Sequence, residues 1–188
     1  MLLSADEVVA LPTDTVYGLA AHPASERGMD ALYALKQRPR EKAIALLVAD
    51  PGALDQLAAE VPPAARTLAE RYWPGGLTVV VRSASDPSTT VALRMPDHTV
   101  PLQLIQRVGS PLATTSANRS SGASPRTPDD VLAQLPSGYP LLIDDGPCPA
   151  GIDSTVVDLS HAPPRLLRAG AISLAAIEAI LGPIAHPT

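Results

Sequence analysis

Leu11-Pro12-Thr13-Asp14-Thr15-Val16-Tyr17-Gly18-Leu19 sets two hydroxyls and a carboxylate between an apolar run and a glycine. The residues from Glu7 to Leu11 read as a strand, and Pro12, which offers a sheet no N–H, should end it. Thr13, Asp14 and Thr15 would then face whatever lies beyond the strand, which is where open α/β sheets bind ligands. The competing reading is an ordinary strand and turn in which Asp14 and Thr15 hydrogen-bond their own backbone. The rest of the chain has to decide between them.

Downstream, Met29, Leu32, Tyr33 and Lys36 recur at helical spacing, with Ser25 as N-cap and Glu26 in the first turn. This helix carries Lys36 to its carboxyl end. Pro39 disfavours helical geometry at Arg38, so Arg38, Arg40 and Lys42 should lie on a loop leading into a buried strand from Ala43 to Val48. Helices are expected at 54–59, 64–72, 101–108, 128–135 and 174–181. Trp73-Pro74-Gly75-Gly76 stops the second of these, Thr127 with Pro128 starts the fourth, and Ser173 and Gly182 bracket the last. Further strands are expected at 77–81, 91–94, 112–115, 141–143, 155–158 and 165–168. Interleaved strands and helices without repeats or low-complexity blocks give an α/β chain (α+β in some schemes). The expected architecture is a single domain over 1–188 with one twisted, mixed sheet flanked by helices.

Composition narrows what such a domain does. With 46% apolar residues over 188 positions there is enough for one sizeable core, and with no Phe and only Trp73 as indole that core is aliphatic. Aromatic platforms for single-stranded nucleic acid are scarce. Twenty-one prolines spread along the length fit many short connections. The formal charge of −5 means that no global field draws polyanions in, so any phosphate site must be local. The single Cys148, in Pro147-Cys148-Pro149, excludes an intramolecular disulfide and a cysteine metal cluster and reads as structural. No stretch approaches the length of a membrane span, and the expected location is cytoplasmic.

Against that acidic background, Lys36-Gln37-Arg38-Pro39-Arg40-Glu41-Lys42 packs four cations into seven residues. Arginine grips phosphate oxygens in pairs and lysine adds a mobile point charge, so the mixture suits a nucleoside triphosphate, unless the run is simply a solvated loop. A second cluster, Thr114-Thr115-Ser116-Ala117-Asn118-Arg119-Ser120-Ser121-Gly122-Ala123-Ser124, follows an expected strand. Its small and hydroxylated residues would let backbone N–H groups approach phosphate or ribose, or would merely connect elements. Neither GxxxxGK[ST] nor GxGxxG occurs. A third set is dispersed: Arg94, then Asp153-Ser154-Thr155, then Arg168, each at the end of an apolar strand. Two arginines so placed would clamp a carboxylate and a phosphate, or pair with nearby acids.

Other chemistries find less support. The four histidines lack metal-ligand spacing and no GxSxG elbow exists. Asp144, Asp145 and Asp153 are candidates for a magnesium ion, but Gly146 beside the first two points to turn formation. No catalytic role is assigned to them, and no protein metal site is expected.

Taken in order, Pro12-Thr13-Asp14-Thr15-Val16-Tyr17-Gly18-Leu19, Lys36-Gln37-Arg38-Pro39, Trp73-Pro74-Gly75, Arg94-Met95-Pro96-Asp97-His98, Thr115-Ser116-Ala117-Asn118, Ser154-Thr155-Val156-Val157-Asp158 and Leu167-Arg168-Ala169-Gly170 resemble the YrdC-like threonylcarbamoyl-AMP synthase family. The match runs from about Val8 to Gly170, and with nothing after Thr188 the chain resembles the short, single-domain form. The resemblance implies an open cavity on one face of the sheet. It also implies a nucleotidyltransferase that joins L-threonine, bicarbonate and ATP, the last with Mg2+, to give threonylcarbamoyl-AMP and pyrophosphate. A downstream transferase complex then passes the threonylcarbamoyl group to an adenosine in tRNA.

Carried onto this chain, the pattern puts Thr15, Arg94, Thr114 and Ser154 around threonine. It puts Lys36, Arg38, Lys42, Thr90, Ser116, Asn118, Ser124 and Arg168 around ATP, with Lys36 and Arg38 as the catalytic cations that neutralise departing pyrophosphate. The chain departs from the pattern at Gly76 and Ala169, where prolines are usual, at Ser121, where glycine is usual, and at Leu47, where some relatives place a histidine. The rival expectation is a non-catalytic module of the same fold that binds nucleotide or double-stranded RNA. The negative net charge argues against strong tRNA binding by this chain alone. Carbamoyl transfer of the hydrogenase-maturation type is a third possibility, for which 188 residues leave no room for the accompanying regions.

Overall fold

The computed structural model describes residues 6–120 and 122–186. Along the chain these form β1 (Val9–Leu11), β2 (Gly18–Ala21), α1 (Glu26–Lys36), β3 (Ala45–Leu47), α2 (Ala53–Leu57), α3 (Pro63–Tyr72), β4 (Leu77–Arg82) and β5 (Thr90–Arg94). There follow α4 (Thr99–Val108), β6 (Leu112–Ser116), α5 (Pro128–Gln134), β7 (Leu141–Leu142), β8 (Thr155–Asp158), β9 (Arg165–Arg168) and α6 (Leu174–Leu181). Among the described residues all nine strands join one sheet in the order β7-β1-β2-β6-β3-β5-β4-β8-β9. The pairs β1/β7, β3/β5 and β4/β8 are parallel and the other five antiparallel. The expected mixed sheet is therefore present.

Side chains alternate between the two faces of each strand, and this alternation creates the site. On one face, Leu77, Val79 and Val81 of β4, Leu93 of β5 and Val157 of β8 pack with Leu54, Leu68 and Ile177 from α2, α3 and α6. The same face continues under α1 and α5 through Val8, Ala10, Leu19, Leu32 and Val131. The opposite face is treated differently. Val9, Leu11, Ala20, Leu47 and Leu112 pack there beneath Ile105 of α4. Beyond them the sheet is open, and Thr78, Val80, Ala92, Arg94, Thr114, Ser116 and Val156 look into a cavity. Of the six helices among the described residues, α4 alone packs on this face.

Local signals behave as read at most boundaries. β1 ends at Leu11 before Pro12. Ser25, Thr127 and Ser173 cap α1, α5 and α6 through their hydroxyls, Thr127 with Asp130 in a reciprocal capping box. Cys148 is buried, which pushes its thiol above the usual range, as befits a packing residue.

Four expectations are corrected. β2 was not foreseen, because Gly-Leu-Ala-Ala carries little strand propensity; it pairs with both β1 and β6 and is wholly buried. The segment from Ala43 to Val48 is not a buried strand throughout. Only Ala45–Leu47 is extended in the sheet; Ala43, Ile44 and Ala45 stay partly or fully accessible because they border the open cavity, while Leu46 packs half-buried on the other face. α4 begins at Thr99, not at Pro101, with His98 Nδ1 accepting from the Val100 N–H. α2 stops at Leu57, where Ala58 leaves to bridge Ser83. No helix among the described residues is long and apolar enough to cross a membrane.

Candidate active site

The open half of the sheet forms the floor of a cavity of about 570 Å³. Strand register arranges its side chains in rows. Leu47 lies opposite Arg94, Thr78 opposite Val156, and Val156 opposite Arg168; Val79 facing Leu93 sets Thr78 beside Arg94. One row therefore reads Leu47, Arg94, Thr78, Val156, Arg168, with its two guanidinium residues three strands or roughly 14 Å apart at the backbone. The neighbouring row holds Ala45, Ala92 and Val80, small residues that give the cavity depth.

Arg94 is 7% exposed, and two neighbours fix its orientation. Nε donates to the Gly75 carbonyl at 2.9 Å and one terminal nitrogen to Asp14 Oδ1 at 2.5 Å. The same Asp14 oxygen accepts the Asp97 N–H at 3.1 Å, tying the end of β5 to the turn after β1. Burial pulls the guanidinium pKa down, and Asp14 acts in the other direction. Every fully buried side-chain nitrogen or oxygen among the described residues has a partner, and the other terminal nitrogen of Arg94 has none. That edge faces the cavity.

The opening motif divides its labour accordingly. Thr13 Oγ1 donates to the Val16 carbonyl at 2.7 Å and accepts the Thr15 and Val16 N–H groups, building the turn. Asp14 holds Arg94. Thr15, fully buried at the cavity floor, keeps its hydroxyl 3.0 Å from that of Thr13. The hydroxyl that builds the turn is thus that of Thr13; the expected bonds from Asp14 and Thr15 to their own backbone are not made, because Asp14 is drawn to Arg94 and Thr15 to Thr13.

The far wall is built from the start of β8 and from β9. Ser154 Oγ sits 2.8 Å from Thr78 Oγ1 and accepts from Arg168 at 2.9 Å, while Arg168 Nε donates to the Ser154 carbonyl. Asp153 also lines the cavity. Its Oδ2 accepts from Ser124 Oγ at 2.8 Å, and its Oδ1 lies 4.0 Å from Arg168. The mouth carries Arg38 and Lys42, with Arg38 donating to the Lys42 and Ala43 carbonyls and so curling its own loop. Arg40, from the same cationic run, turns away to pair with Asp30 over the Tyr33 ring. The run of four is thus split by geometry.

Of the residues singled out in the sequence, Thr15, Arg38, Lys42, Thr90, Arg94, Thr114, Ser116, Ser154 and Arg168 line this one cavity. Three stand behind it. Lys36, 3% exposed, donates to the Ser116 carbonyl at 2.6 Å, to Ser116 Oγ at 3.1 Å and to Asn118 Oδ1 at 2.8 Å. Asn118 also accepts from Ser116 Oγ and donates to the Gly122 carbonyl, and Ser124 is spent on Asp153. Lys36 thus fastens the turn that follows β6. Ser121 lies outside the described residues. Among the polar cavity residues given no role in the sequence are Thr78 and Asp153. Alternation in Leu77-Thr78-Val79-Val80-Val81 was the available signal for the first, and adjacency to Ser154 for the second.

Burial, with help from Arg38, lowers Lys36 to about 8 from its ordinary 10.5. Between those values the unfolded chain binds a proton that the folded one does not, so this residue's contribution to stability rises with pH. Below pH 8 both states are protonated and the contribution is flat. From pH 8 to 10.5 the stability difference between wild type and Lys36→Met should therefore shift towards wild type, by up to about 3 kcal/mol. Urea unfolding at several pH values measures it, and a pH-independent difference would contradict a buried ammonium here.

No group of three or more metal-ligating side chains occurs among the described residues, and Asp153 is the one carboxylate among the residues lining the cavity. The cavity is instead rich in cations, with Arg38, Lys42, Arg94 and Arg168 gathered in a protein of net charge −5.

Comparison with known proteins bears on this arrangement. A family model for Sua5, YciO and YrdC, described as "Telomere recombination", matches residues 1–170. The chain is 39% identical to a threonylcarbamoyl-AMP synthase of Bacillus subtilis over 97% of its length, and 36% identical to a putative threonylcarbamoyl-AMP synthase of Mycobacterium tuberculosis over 96%. It spans 55% of the first protein and 86% of the second. Among solved structures, Sua5 of Pyrococcus abyssi complexed with L-threonine superposes with a TM-score of 0.93 at 36% identity, covering 99% of this chain and 57% of that one. YciO of E. coli, 21% identical with a TM-score of 0.83 over 94% of this chain and 89% of its own, shares the fold. The chain thus spans about half the length of the Bacillus and Pyrococcus relatives that it matches.

Proposed function

The chain belongs to the Sua5/YciO/YrdC family, and from that premise we propose that it is a nucleotidyltransferase making threonylcarbamoyl-AMP from L-threonine, bicarbonate and ATP. The observation that carries the reading is the cavity itself. A guanidinium held edge-on at Arg94 and a group of cations at Arg38, Lys42 and Arg168 share one floor. The first suits a carboxylate and the second a polyphosphate.

In this reading threonine lays its carboxylate on the open edge of Arg94, with Thr15, Thr114 and Ser154 around it. ATP enters as its magnesium complex between Arg38, Lys42, Thr90, Ser116 and Arg168. The threonine ammonium gives up a proton, bicarbonate takes one and loses water to give carbon dioxide, and the free amine adds to that carbon with loss of a second proton to solvent; the resulting N-carboxylate attacks the α-phosphorus. The bond from that phosphorus to the bridging oxygen breaks and pyrophosphate leaves. Arg38 and Lys42 stand where its charge would develop, so positioning and electrostatics carry the step. Lys36 acts from behind, holding Ser116 and Asn118, and is a positioning residue rather than one that touches substrate. Transfer of the threonylcarbamoyl group to tRNA by a separate complex, in the cytoplasm, completes the reading.

Pyrophosphate release from ATP and magnesium, with L-threonine and bicarbonate omitted in turn, tests it. Release that requires both is the expected result. Nucleotide binding with no release under any combination would overturn the synthase reading in favour of a binding module of the same fold.

A further inference from the structure

We propose that Asp153 binds the α-ammonium group of the amino-acid substrate, so that Arg94 and Asp153 together form a clamp for a zwitterion. This rests on the cavity being an amino-acid site, and adds a residue to that site.

The argument starts from charge. Among the described residues that line the cavity, four are cationic and only Asp153 is a carboxylate. Asp14 is near but does not line the cavity, and its Oδ1 is committed to Arg94 and the Asp97 N–H. A ligand carrying only negative groups would gain nothing from Asp153 and would be repelled by it. A ligand with one carboxylate and one ammonium meets a complementary partner at each end.

Position agrees with charge. Arg94 reaches across to the Gly75 carbonyl, and Asp153 lies two residues before Thr155, which pairs with Leu77 and donates its N–H to Gly76. Both residues therefore flank the corner where the Gly75-Gly76 turn enters β4. They approach it from opposite sides of β4, at least two strand spacings or roughly 10 Å apart across the sheet, with Asp153 three residues before Val156, the residue level with Arg94. Asp153 is also close enough for its charge to act on the Arg94 guanidinium.

The carboxylate is held ready. Ser124 donates to Oδ2, and the Ala171 N–H to the Asp153 carbonyl, at 2.8 and 2.9 Å, which fixes both ends of the residue. Oδ1 has no hydrogen bond closer than the 4.0 Å approach of Arg168. An ammonium arriving there finds an acceptor with open lone pairs, in a wall whose side chain is 30% exposed.

Calorimetric titration of the full chain with L-threonine and with 2,3-dihydroxybutanoate of matching configuration, in which a hydroxyl replaces the ammonium, isolates this contact. Wild type is expected to prefer threonine by about 30-fold, the range of a charge-assisted hydrogen bond. Asp153→Asn, which keeps shape and the Ser124 bond, is expected to bind the two within about threefold. A variant that keeps the wild-type preference would overturn the proposal while leaving the amino-acid site standing. A wild type with no preference would overturn it as well, without recourse to any variant. Failure of the wild type to bind threonine at all, with or without a non-hydrolysable ATP analogue, would remove the amino-acid reading itself and the clamp with it.

Discussion

Arg94→Ala is expected to lose about 3–5 kcal/mol of stability, because it strands Asp14, whose side chain is 13% exposed, without its counter-charge. Removing one partner of a buried pair costs more than the pair was worth, since the survivor keeps its desolvation penalty and loses its compensation. Asp14→Asn introduced into the same variant neutralises the stranded charge and should recover much of the loss. It should not recover function. The apparent KM for threonine is expected to stay raised by about a hundredfold in both variants, as for truncation of a hydrogen-bonded charge pair. Urea unfolding together with threonine-dependent pyrophosphate release separates the two effects. Wild-type stability in Arg94→Ala would show that the pair with Asp14 does not carry the weight given to it.

The second large effect is expected at Gly170, for a reason of space. A Cβ there would stand 2.2 Å from the Asp153 carbonyl oxygen, 2.5 Å from the Ser154 carbonyl carbon and 2.6 Å from the Thr155 nitrogen. These are backbone atoms of the cavity wall and cannot swing aside as a side-chain tip would. Gly170→Ala should therefore cost about 3 kcal/mol or more and push Asp153 and Ser154 out of place, weakening both substrates at once. Gly109→Ala supplies the contrast. That residue, at φ 72°, has nothing within 4 Å of a new Cβ, so only the left-handed backbone resists substitution, at about 1–2 kcal/mol. Thermal unfolding of the two variants compares crowding with conformation directly. Gly76 shows a milder version of the same crowding, its Cβ position falling 2.7 Å from the Ala171 side chain. Nothing in the structure explains Ala169.

What could be read from residue order was whatever depends on short range. Pro12 ends β1, Ser25 and Thr127 start helices, and Gly182 follows α6, because each acts through its own backbone or that of the next turn. The site residues came largely from motif order, and nine of the twelve meet in one cavity. Three kinds of information were out of reach. Arg38, Arg40 and Lys42 look alike in sequence, and only Asp30 and Tyr33 on α1 decide that Arg40 leaves the group. The strand expected over Leu77 to Val81 is present and buried, but nothing in its residue order tells that one face lacks a covering helix, so that Thr78 and Val80 line the cavity. Asp153 resembles Asp144, yet the latter only caps a turn at Gly146, while Ser124, 29 residues away, aims the former at the cavity.

The sheet order has a consequence for how the site comes into being. Its floor joins Thr15 and Gly18 near the amino end to Arg168, and the pairing of β4 with β8 joins residues 77–80 to 155–158. Contacts so distant along the chain form late, after the entropy of closing long loops has been met. During synthesis, then, the lining is complete only once Arg168 has been added. Once complete, the cavity touches seven of the nine strands among the described residues, all but β1 and β7, so an occupant fastens most of the sheet rather than one lobe of it.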